Sequence, residues 1–384
     1  MKKRMIAMFL AGSMVFSLSA CSEKIDNTAT LKAGEVPTYQ GNLNAINPLA
    51  YNNVDGLDLE KGTFISIIGR QEATPYWTTV EAGVKQATED LNTALGYTGD
   101  DKIKVTFNAP SKEEDIDEQV NILDEELSRY PNAIGIASID DSACSMQFDL
   151  ATESDIPIVA FDSGNNYQGI LCTCRTNNEE AAGTAAAKLC GEIEDSGEVI
   201  LIAHDENSSS GKERVKGFTD EITNNHPNVK IVETIYNSQM DAMKKTIAEK
   251  KNEGIIDETK KVTVDDLSDE DVIAYYLEIH PEVKGVFATN DLTTQLTLDS
   301  CKQMKNTGIK VVGFDYGEDQ QKALEDGTLS GLIVQNPFGM GYAAVVACAR
   351  TILNQGNEAV VDTGYIWVTK DNMTDDSIVN MLYK

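Results

Sequence analysis

Side chains that can exchange hydrogen bonds with hydroxyl groups follow short apolar runs along this 384-residue sequence. Gln71 and the aromatic pair Tyr76-Trp77 follow the first run, and later runs end in carboxylates or amides: Asp140 and Asp141, Asp162, Asn290, Asp315, and Gln335. Planar carboxylates and amides can meet sugar hydroxyls bidentately, and aromatic faces cover the C–H patches of a sugar ring. The set therefore suits a neutral, polyhydroxylated ligand.

The same residue types also cap helices and form turns, so each position taken alone has a structural explanation. Capping does not explain Gln335 or the Tyr76-Trp77 pair, which favours binding for the set as a whole. Trp77 heads an apolar helical stripe and is equally compatible with a place in the core. A sugar-processing enzyme would need acid and base carboxylates at a set spacing, and nothing in the sequence aims Asp140 and Asp141 at a scissile bond. We therefore expect a binding protein, not an enzyme.

The elements that position these residues alternate regularly between strands and helices. Continuous β-rich runs such as residues 63–68 are typical of strands buried on both faces. Apolar residues at three- and four-residue steps, as in the segment 77–95, indicate amphipathic helices between them. The pattern predicts parallel sheets covered by helices on both faces, with more strands than one sheet holds comfortably, and therefore two α/β domains. Ligands of such sheets bind beyond the carboxyl ends of the strands.

Four segments together resemble the ribose/galactose-type substrate-binding proteins of ABC importers: TPYWTTVEAG at 74–83, IPIVAFDS at 156–163, VFATND at 286–291 and VVGFD at 311–315. The likeness runs in order from about residue 60 to the C-terminus. It implies the type 1 periplasmic-binding-protein fold, in which two Rossmann-like lobes with parallel sheets are joined by three hinge crossovers and close on a small sugar. It further implies an ABC permease as partner, and we expect a monomer without cofactor or bound metal.

The resemblance also implies roles for single residues. Tyr76 and Trp77 match the stacking aromatics of the family, and Asp140 or Asp141 matches its acidic residue after the third strand. The second lobe and the hinge contribute Asn290, Asp315 and Gln335. Lys212 falls where many members carry arginine, so either Lys212 or Arg214 makes the basic contact. Met240 stands where sugar binders often place a second aromatic, which leaves open another polar ligand, such as a furanosyl signal, a nucleoside or a cyclitol.

Domain boundaries follow from the same pattern. We predict an N-terminal lobe of residues 61–162 plus 336–362 and a C-terminal lobe of residues 163–335 plus 363–384. Residues 22–60 have the composition of a flexible tether, although some of their apolar side chains could dock on the domain. The charged stretch from 250 to 271 is interpreted as a surface insertion that is helical in part.

The N-terminus has the features of an export signal, with Lys2, Lys3 and Arg4 followed by a short apolar stretch. Leu18-Ser19-Ala20-Cys21 resembles the lipobox of bacterial lipoproteins, which implies cleavage before Cys21 and a diacylglycerol on its sulfur. Two acyl chains suffice for stable anchoring. We therefore expect residues 1–21 to be a lipoprotein signal and the protein to be held on the extracytoplasmic face of the cell membrane.

Composition excludes several other classes of protein. The formal net charge of −30 would repel nucleic acids and anionic lipid surfaces. Gly339-x-Gly341-x-x-Ala344 fits a dinucleotide-binding pattern, but a lone match is weak. The three histidines have no zinc-ligand spacing. The six cysteines beyond Cys21 are scattered, which is not a disulfide framework, and we expect free thiols.

Overall fold

Two six-stranded sheets form the framework of the residues described by the computed structural model, which are 36–112, 115–170, 172–305 and 308–383. The first sheet is parallel throughout, in the spatial order β11-β5-β4-β3-β1-β2. Its strands are β1 (Phe64–Ile68), β2 (Lys104–Asn108), β3 (Ala133–Ile136), β4 (Ile158–Phe161), β5 (Thr173–Arg175) and β11 (Val360–Asp362).

The second sheet has the order β12-β10-β9-β8-β6-β7, and its edge strand β12 runs antiparallel to β10. Its strands are β6 (Gly197–Ala203), β7 (Val229–Tyr236), β8 (Val283–Ala288), β9 (Lys310–Phe314), β10 (Gly331–Gln335) and β12 (Tyr365–Val368). The predicted pair of α/β lobes with mostly parallel sheets is confirmed.

Helices cover both faces of each sheet, because successive strand residues point to opposite faces and both sets are apolar. In the first lobe, Ile65 and Ile67 pack with the core under α2 and α11, whereas Ile68 packs with the core under α3 and α4. The first-lobe helices are α1 (Gln40–Asn44), α2 (Pro75–Leu95), α3 (Ile116–Leu127), α4 (Ser145–Glu153) and α11 (Pro337–Ile352).

The second lobe repeats this arrangement. Its sheet lies between α5 and α6 on one face and the remaining helices on the other. Its helices are α5 (Asn178–Glu192), α6 (Ser209–Asn225), α7 (Met240–Lys251), α8 (Asp269–Ile279), α9 (Asp291–Gln303), α10 (Glu318–Asp326) and the short α12 (Asp376–Val379). No helix in the described ranges is both long enough and apolar enough to cross a membrane.

Close packing of α2 on α11 explains Gly341, one of the two glycines of the dinucleotide-like pattern. A Cβ on Gly341 would overlap the carbonyl oxygen of Val80, and a Cβ on Gly83 would overlap that of Phe338. Both glycines lie in helices, and the two backbones can approach only because neither residue carries a side chain. Gly341 thus serves contact between two helices, whereas a Cβ on Gly339 would meet the side chain of Asn336.

The first crossing between lobes differs from its predicted place at 162–163. Strand β5 pairs with β4 and β11 in the first sheet, so the chain enters the second lobe only between Arg175 and Asn178. After Asp162 the chain makes a loop and returns to the sheet it has just left, and a three-residue strand carries little sequence signal. The other crossings lie at Asn336, between β10 and α11, and at residues 363–364, between β11 and β12.

The segment from Thr38 to Glu60 belongs to the first lobe and is not part of a tether. Leu43, Ile46, Tyr51 and Leu59 are buried in the core under α2 and α11. The buried Asn42 donates a hydrogen bond to the side chain of Asn336, 2.9 Å away, which ties this segment to a lobe crossing. The predicted tether was therefore too long, and its first part, residues 22–35, lies outside the described residues.

Two further expectations concern local structure. The stretch 250–271 contains short 3₁₀ turns at Glu258–Lys260 and Val264–Asp266 before α8 begins, and Ile256 in this stretch is almost fully exposed. The six cysteines from Cys144 to Cys348 are all buried, and none is paired in a disulfide within the described ranges.

Candidate functional site

A cavity of about 760 Å³ lies between the lobes, beyond the carboxyl ends of strands from both sheets. Cavities of this size commonly hold small ligands. Most of the predicted site residues line it: Gln71, Tyr76, Trp77, Asp162, Arg214, Asn290, Asp315 and Gln335. The structure therefore brings together residues that are up to 264 positions apart in the sequence.

The first lobe contributes an aromatic wall at the start of α2. The side chain of Thr74 accepts a hydrogen bond from the Trp77 N–H, and Pro75 fits the first turn, so the helix begins with Tyr76 at the cavity. The Tyr76 hydroxyl donates to Asp162 Oδ1 at 2.5 Å. Burial, and then the nearby Asp162 carboxylate, raise the pKa of Tyr76 well above its usual value. Tyr76 therefore stays neutral, with its ring fixed in orientation.

Trp77 mainly supports Tyr76 from the core, and little of its own ring is exposed. It is 7% exposed and belongs to the first-lobe core. Its ring meets Tyr76 edge-on, with centroids 5.3 Å apart, and also meets Phe161 edge-on, with centroids 6.3 Å apart. Trp77 thus lines the cavity, as the binding interpretation expects, and also belongs to the core, as the alternative expects.

Arg214 on α6 of the second lobe also lines the cavity, and it is only 5% exposed. Its Nε donates to Asn178 Oδ1 at 2.9 Å, and its Nη1 donates to the carbonyl oxygen of Thr289 at 2.6 Å. The guanidinium carbon lies over the face of the Phe314 ring, 3.8 Å from its centroid, in a cation–π contact. A guanidinium has five N–H donors, so these two fixed bonds leave others for a ligand.

Asp315 lies directly after β9 in a left-handed backbone conformation, with φ of 70°. Its backbone N–H donates to Ile333 O at 2.7 Å, which ties it to β10. Its Oδ1 accepts from Gln335 Nε2 at 2.6 Å and from the Tyr383 hydroxyl at 3.1 Å. Burial raises the pKa of Asp315 to about 6, although the Arg214 charge acts in the opposite direction.

Gln335 connects this carboxylate to a lobe crossing. Its Oε1 accepts from Thr176 Oγ1 at 3.0 Å, while its Nε2 donates to Asp315. Thr176 lies where the chain passes from the first lobe to the second. We call Arg214, Asp315, Gln335 and Tyr383 the cleft base. A change of angle between the lobes would therefore alter the hydrogen bonds of the Asp315 carboxylate.

His204 and Asn290 line the cavity, and part of each side chain is hydrogen-bonded to a neighbouring threonine. The backbone N–H of His204 donates to Thr289 Oγ1, and the Nδ1 of its ring lies 2.8 Å from the same oxygen. Burial, and then the Arg214 charge, lower the pKa of His204 to about 3, so the ring is neutral. Asn290 caps α9, because its Oδ1 accepts from the N–H and the hydroxyl of Thr293. The capping explanation therefore accounts for the Asn290 oxygen.

Three predicted site residues, Asp140, Asp141 and Lys212, do not line the cavity. Asp140 Oδ1 accepts from the backbone N–H groups of Ser142 and Ala143, at 2.8 and 2.9 Å, so it closes a turn. These bonds lower the pKa of Asp140, and the bond from Ser142 has the largest effect. Asp141 of the first lobe instead faces Lys212 and Ser209 of the second, both at 3.3 Å. We call Asp141, Ser209 and Lys212 the cleft rim.

Several cavity residues were not among the predicted site residues. Tyr383 meets Tyr76 edge-on, with centroids 5.5 Å apart, and reaches Asp315 from the end of the chain. It follows no strand end, so the pattern that found the other residues could not find it. Arg70, His204, Asp205 and Asp291 do follow strand ends, and that signal was present. Met240, by contrast, is buried in the second-lobe core and does not line the cavity.

A family model described as a periplasmic binding protein domain matches residues 65–356. The chain belongs to this family. The predicted type of fold is thereby confirmed, as is the expectation of a binding protein and not an enzyme.

Two curated relatives illustrate how similar the chain is to known proteins. The chain is 23% identical over 235 residues to the ribose import binding protein of Bacillus subtilis, which covers 61% of this chain and 67% of the relative. It is 26% identical over 270 residues to the D-apiose import binding protein of Paraburkholderia graminis, covering 69% and 74%. The chain thus spans about two thirds to three quarters of the length of these relatives.

Solved structures agree on the architecture. A carbohydrate transporter solute binding protein of Agrobacterium radiobacter, in complex with D-arabinose, superposes with a TM-score of 0.66 at 26% identity and covers 83% of this chain and 98% of that chain. An ABC transporter solute binding protein of Agrobacterium vitis, bound with α-D-tagatopyranose, gives a TM-score of 0.68 at 22% identity and covers 84% and 99%.

Proposed function

We propose that the protein is the lipid-anchored, extracytoplasmic solute-binding protein of an ABC importer, and that it carries a small neutral sugar to the permease. The observation that carries this proposal is that two unlike kinds of side chain line one cavity. The first lobe contributes the aromatic ring of Tyr76, and the cleft base contributes a carboxylate, an amide and a guanidinium. A sugar ring has both C–H patches and hydroxyl groups, and so it matches both kinds of side chain.

Hydrogen bonds within the protein hold the side chains of the cleft base in place. Asp315 is positioned by Gln335 and Tyr383, and Arg214 by Asn178 and Thr289. Such preorganisation limits the conformational entropy lost on binding. A sugar hydroxyl can donate to Asp315 while its oxygen accepts from Arg214, and charge-assisted bonds of this kind are stronger than neutral ones. The names of the relatives point to the same class of ligand, since they include ribose, D-apiose and xylitol binding proteins.

Delivery to a permease requires that the bound form differ in shape from the free form. The crossings at residues 176–177, 336 and 363–364 are the points about which the lobes can rotate, as hinge closure needs only a few such positions. A sugar that contacts both Tyr76 and Asp315 would stabilise the closed arrangement, because it binds both lobes only when they are close.

A thermal-shift screen against pentoses, hexoses and polyols tests the sugar proposal. A ligand that binds only the folded state raises the melting temperature in proportion to the logarithm of its concentration. We expect a saturable increase with at least one sugar, and the same increase for Asp140→Asn, which lies outside the cavity. The absence of any shift across the whole set would overturn the sugar assignment.

Membrane anchoring is proposed from the sequence of residues 1–21, which lie outside the described residues. We expect a palmitate analogue to label the protein in cells and Cys21→Ser to lose the label. Labelling that persists in Cys21→Ser would show that Cys21 is not the lipidated residue.

A further inference from the structure

Three potential metal ligands meet at the end of the second lobe opposite the cleft. Cys190 lies in the last turn of α5, Asp195 in the turn before β6, and His226 at the end of α6. One ligand atom of each residue, a sulfur, a carboxylate oxygen and an imidazole nitrogen, lies within 4.8 Å of the other two. His226 is 36 residues beyond Cys190, so no short-range spacing in the sequence reveals this cluster.

The backbone holds the three residues in place. The Asp195 N–H donates to Cys190 O at 2.8 Å, which closes the turn between α5 and β6 and places Asp195 beside the thiol. His226 donates its N–H to Ile222 O at 3.0 Å and accepts from the Val229 N–H at 2.9 Å. These two bonds fix the backbone of His226 between α6 and β7. Cys190 is fully buried, His226 is mostly buried, and the Asp195 side chain is 63% exposed.

The hydrogen bonds within the cluster leave one buried atom unsatisfied. The Nδ1 of His226 lies 2.7 Å from Asp195 Oδ1. The Nε2 of the same ring is buried and makes no hydrogen bond to any described residue, although Glu221 Oε1 lies 3.3 Å away. A neutral imidazole with its proton on Nδ1 would turn the bare Nε2 toward a carboxylate, which is unfavourable. Helix capping alone does not account for this arrangement.

We propose that Cys190, Asp195 and His226 form a binding site for a divalent cation of the Zn²⁺ class. Sulfur, imidazole nitrogen and carboxylate oxygen are the donors that Zn²⁺ takes in proteins, at about 2.0–2.3 Å. Ligand atoms of a tetrahedral site are then roughly 3.3–3.8 Å apart. The His226 Nδ1–Asp195 Oδ1 pair, now 2.7 Å apart, would widen by roughly 0.6 Å to admit the cation, and the thiol, which lies within 4.8 Å of both atoms, would move inward. The exposed side of Asp195 leaves the fourth position to water.

Binding of the cation redistributes two protons. The cation takes the place of the proton between His226 Nδ1 and Asp195 Oδ1, and the imidazole carries its proton on Nε2, facing Glu221. A carboxylate that accepts from the second ring nitrogen is the usual support of a zinc-bound histidine. The Cys190 thiol gives its proton to solvent, since only the thiolate binds metal. The site would fasten the end of α5 to the end of α6, away from the sugar cleft.

Cobalt titration of the chelator-treated protein tests the proposal, because Co²⁺ bound to a thiolate absorbs in the near ultraviolet. We expect one Co²⁺ per chain, displacement by Zn²⁺, and a higher melting temperature with Zn²⁺. Cys190→Ala is expected to lose the band, and His226→Gln to weaken Co²⁺ binding at least tenfold. Matched controls are Cys301→Ala, a buried cysteine of the same lobe, and His280→Gln, the histidine that ends α8; both should bind as the unmodified protein does.

Two results would overturn the metal site. The first is a titration of the unmodified protein that shows no thiolate band, which would indicate that a proton and not a metal joins His226 to its carboxylates. The second is a band that persists in Cys190→Ala and His226→Gln, which would place the cation on another cysteine. The His226 variant keeps the test decisive if Cys190→Ala does not fold.

Discussion

Lys212 and Arg214 lie two residues apart on α6, but the cleft places them in opposite surroundings. Arg214 is 5% exposed and is held by Asn178, Thr289 and the ring of Phe314. The Lys212 side chain is 52% exposed and reaches Asp141 of the other lobe at 3.3 Å. The base of the cleft therefore has a buried, oriented cation, and the rim has a solvated one.

The acidic partners differ in the same way. At the base, Asp315 accepts hydrogen bonds from Gln335 and Tyr383 in a site that excludes most water. At the rim, Asp141 faces a side chain that also donates to the carbonyl oxygen of Asn207 at 2.6 Å. Removing one partner of a buried, hydrogen-bonded charge pair loses much free energy, whereas an exposed ion pair contributes only about 0–1 kcal/mol. We infer that the base determines the affinity for a ligand and that the rim only adjusts how the lobes meet.

Asp315→Asn should give the largest effect on binding. The amide keeps the shape and tolerates the positive φ of 70°, but it removes the charge. Loss of one partner of a buried charged interaction costs roughly 2–5 kcal/mol, so we expect sugar affinity by calorimetry to fall about 100-fold. Asp141→Asn at the rim is the matched control, and equal losses in the two variants would refute the distinction between base and rim.

Stability should change in the opposite direction from binding in this variant. The pKa of Asp315 in the folded protein, about 6, lies above the usual aspartate value of 3.8, so folding disfavours the charged form. Its contribution to the free energy of unfolding is therefore greatest below about pH 4 and decreases as the pH rises through 6. At pH 7, Asp315→Asn should be at least as stable as the unmodified protein. A melting temperature several degrees lower would show that the charge itself supports the fold.

The pH dependence of affinity gives a second, smaller contrast. At pH 5 about nine tenths of a group with a pKa near 6 is protonated, so we expect sugar affinity to fall about tenfold between pH 7.5 and pH 5. His204, with a pKa of about 3, stays neutral over this interval. The other acids that face Asp315 are Asp162 and Asp291, and burial also raises the pKa of Asp291. Affinity measured in Asp315→Asn over the same interval isolates the Asp315 contribution, and an unchanged slope would assign the titration elsewhere.

Much of the fold could be predicted because most strands are buried on both faces. Runs such as Phe64–Ile68 and Lys310–Phe314 are almost continuously apolar, and the helices between them repeat at helical spacing. Strand β5 and the pair β11 and β12 have only three or four residues each, so their sheet partners depend on tertiary contacts. The segment from Thr38 to Glu60 was misassigned for a similar reason: its few apolar residues show no period, yet most of them are buried in the core, although Leu49 is exposed.

The site was predictable where it follows strand ends and not elsewhere. Asp315 and Gln335 end consecutive strands of the second sheet, and the geometry of parallel sheets brings such positions together. Asp140 also follows a strand, but its carboxylate closes a local turn, and the sequence pattern alone cannot separate these two uses. Positions two apart on a helix point about 200° apart, so the choice between Lys212 and Arg214 depends on how α6 is rotated on the sheet.

Lys212→Ala should produce the smallest effect, and for that reason it tests the contrast most directly. The lysine lies outside the cavity and its ion pair with Asp141 is partly solvated, so we expect a change in sugar affinity of threefold or less. Because the pair joins the two lobes, its loss should alter the rates of association and dissociation more than their ratio, and added salt should reduce the difference. Stopped-flow measurements on Lys212→Ala and Asp141→Asn provide both quantities. A loss of affinity comparable with that of Asp315→Asn would mean that Lys212 reaches the ligand when the lobes close, and the basic contact would then belong to the rim.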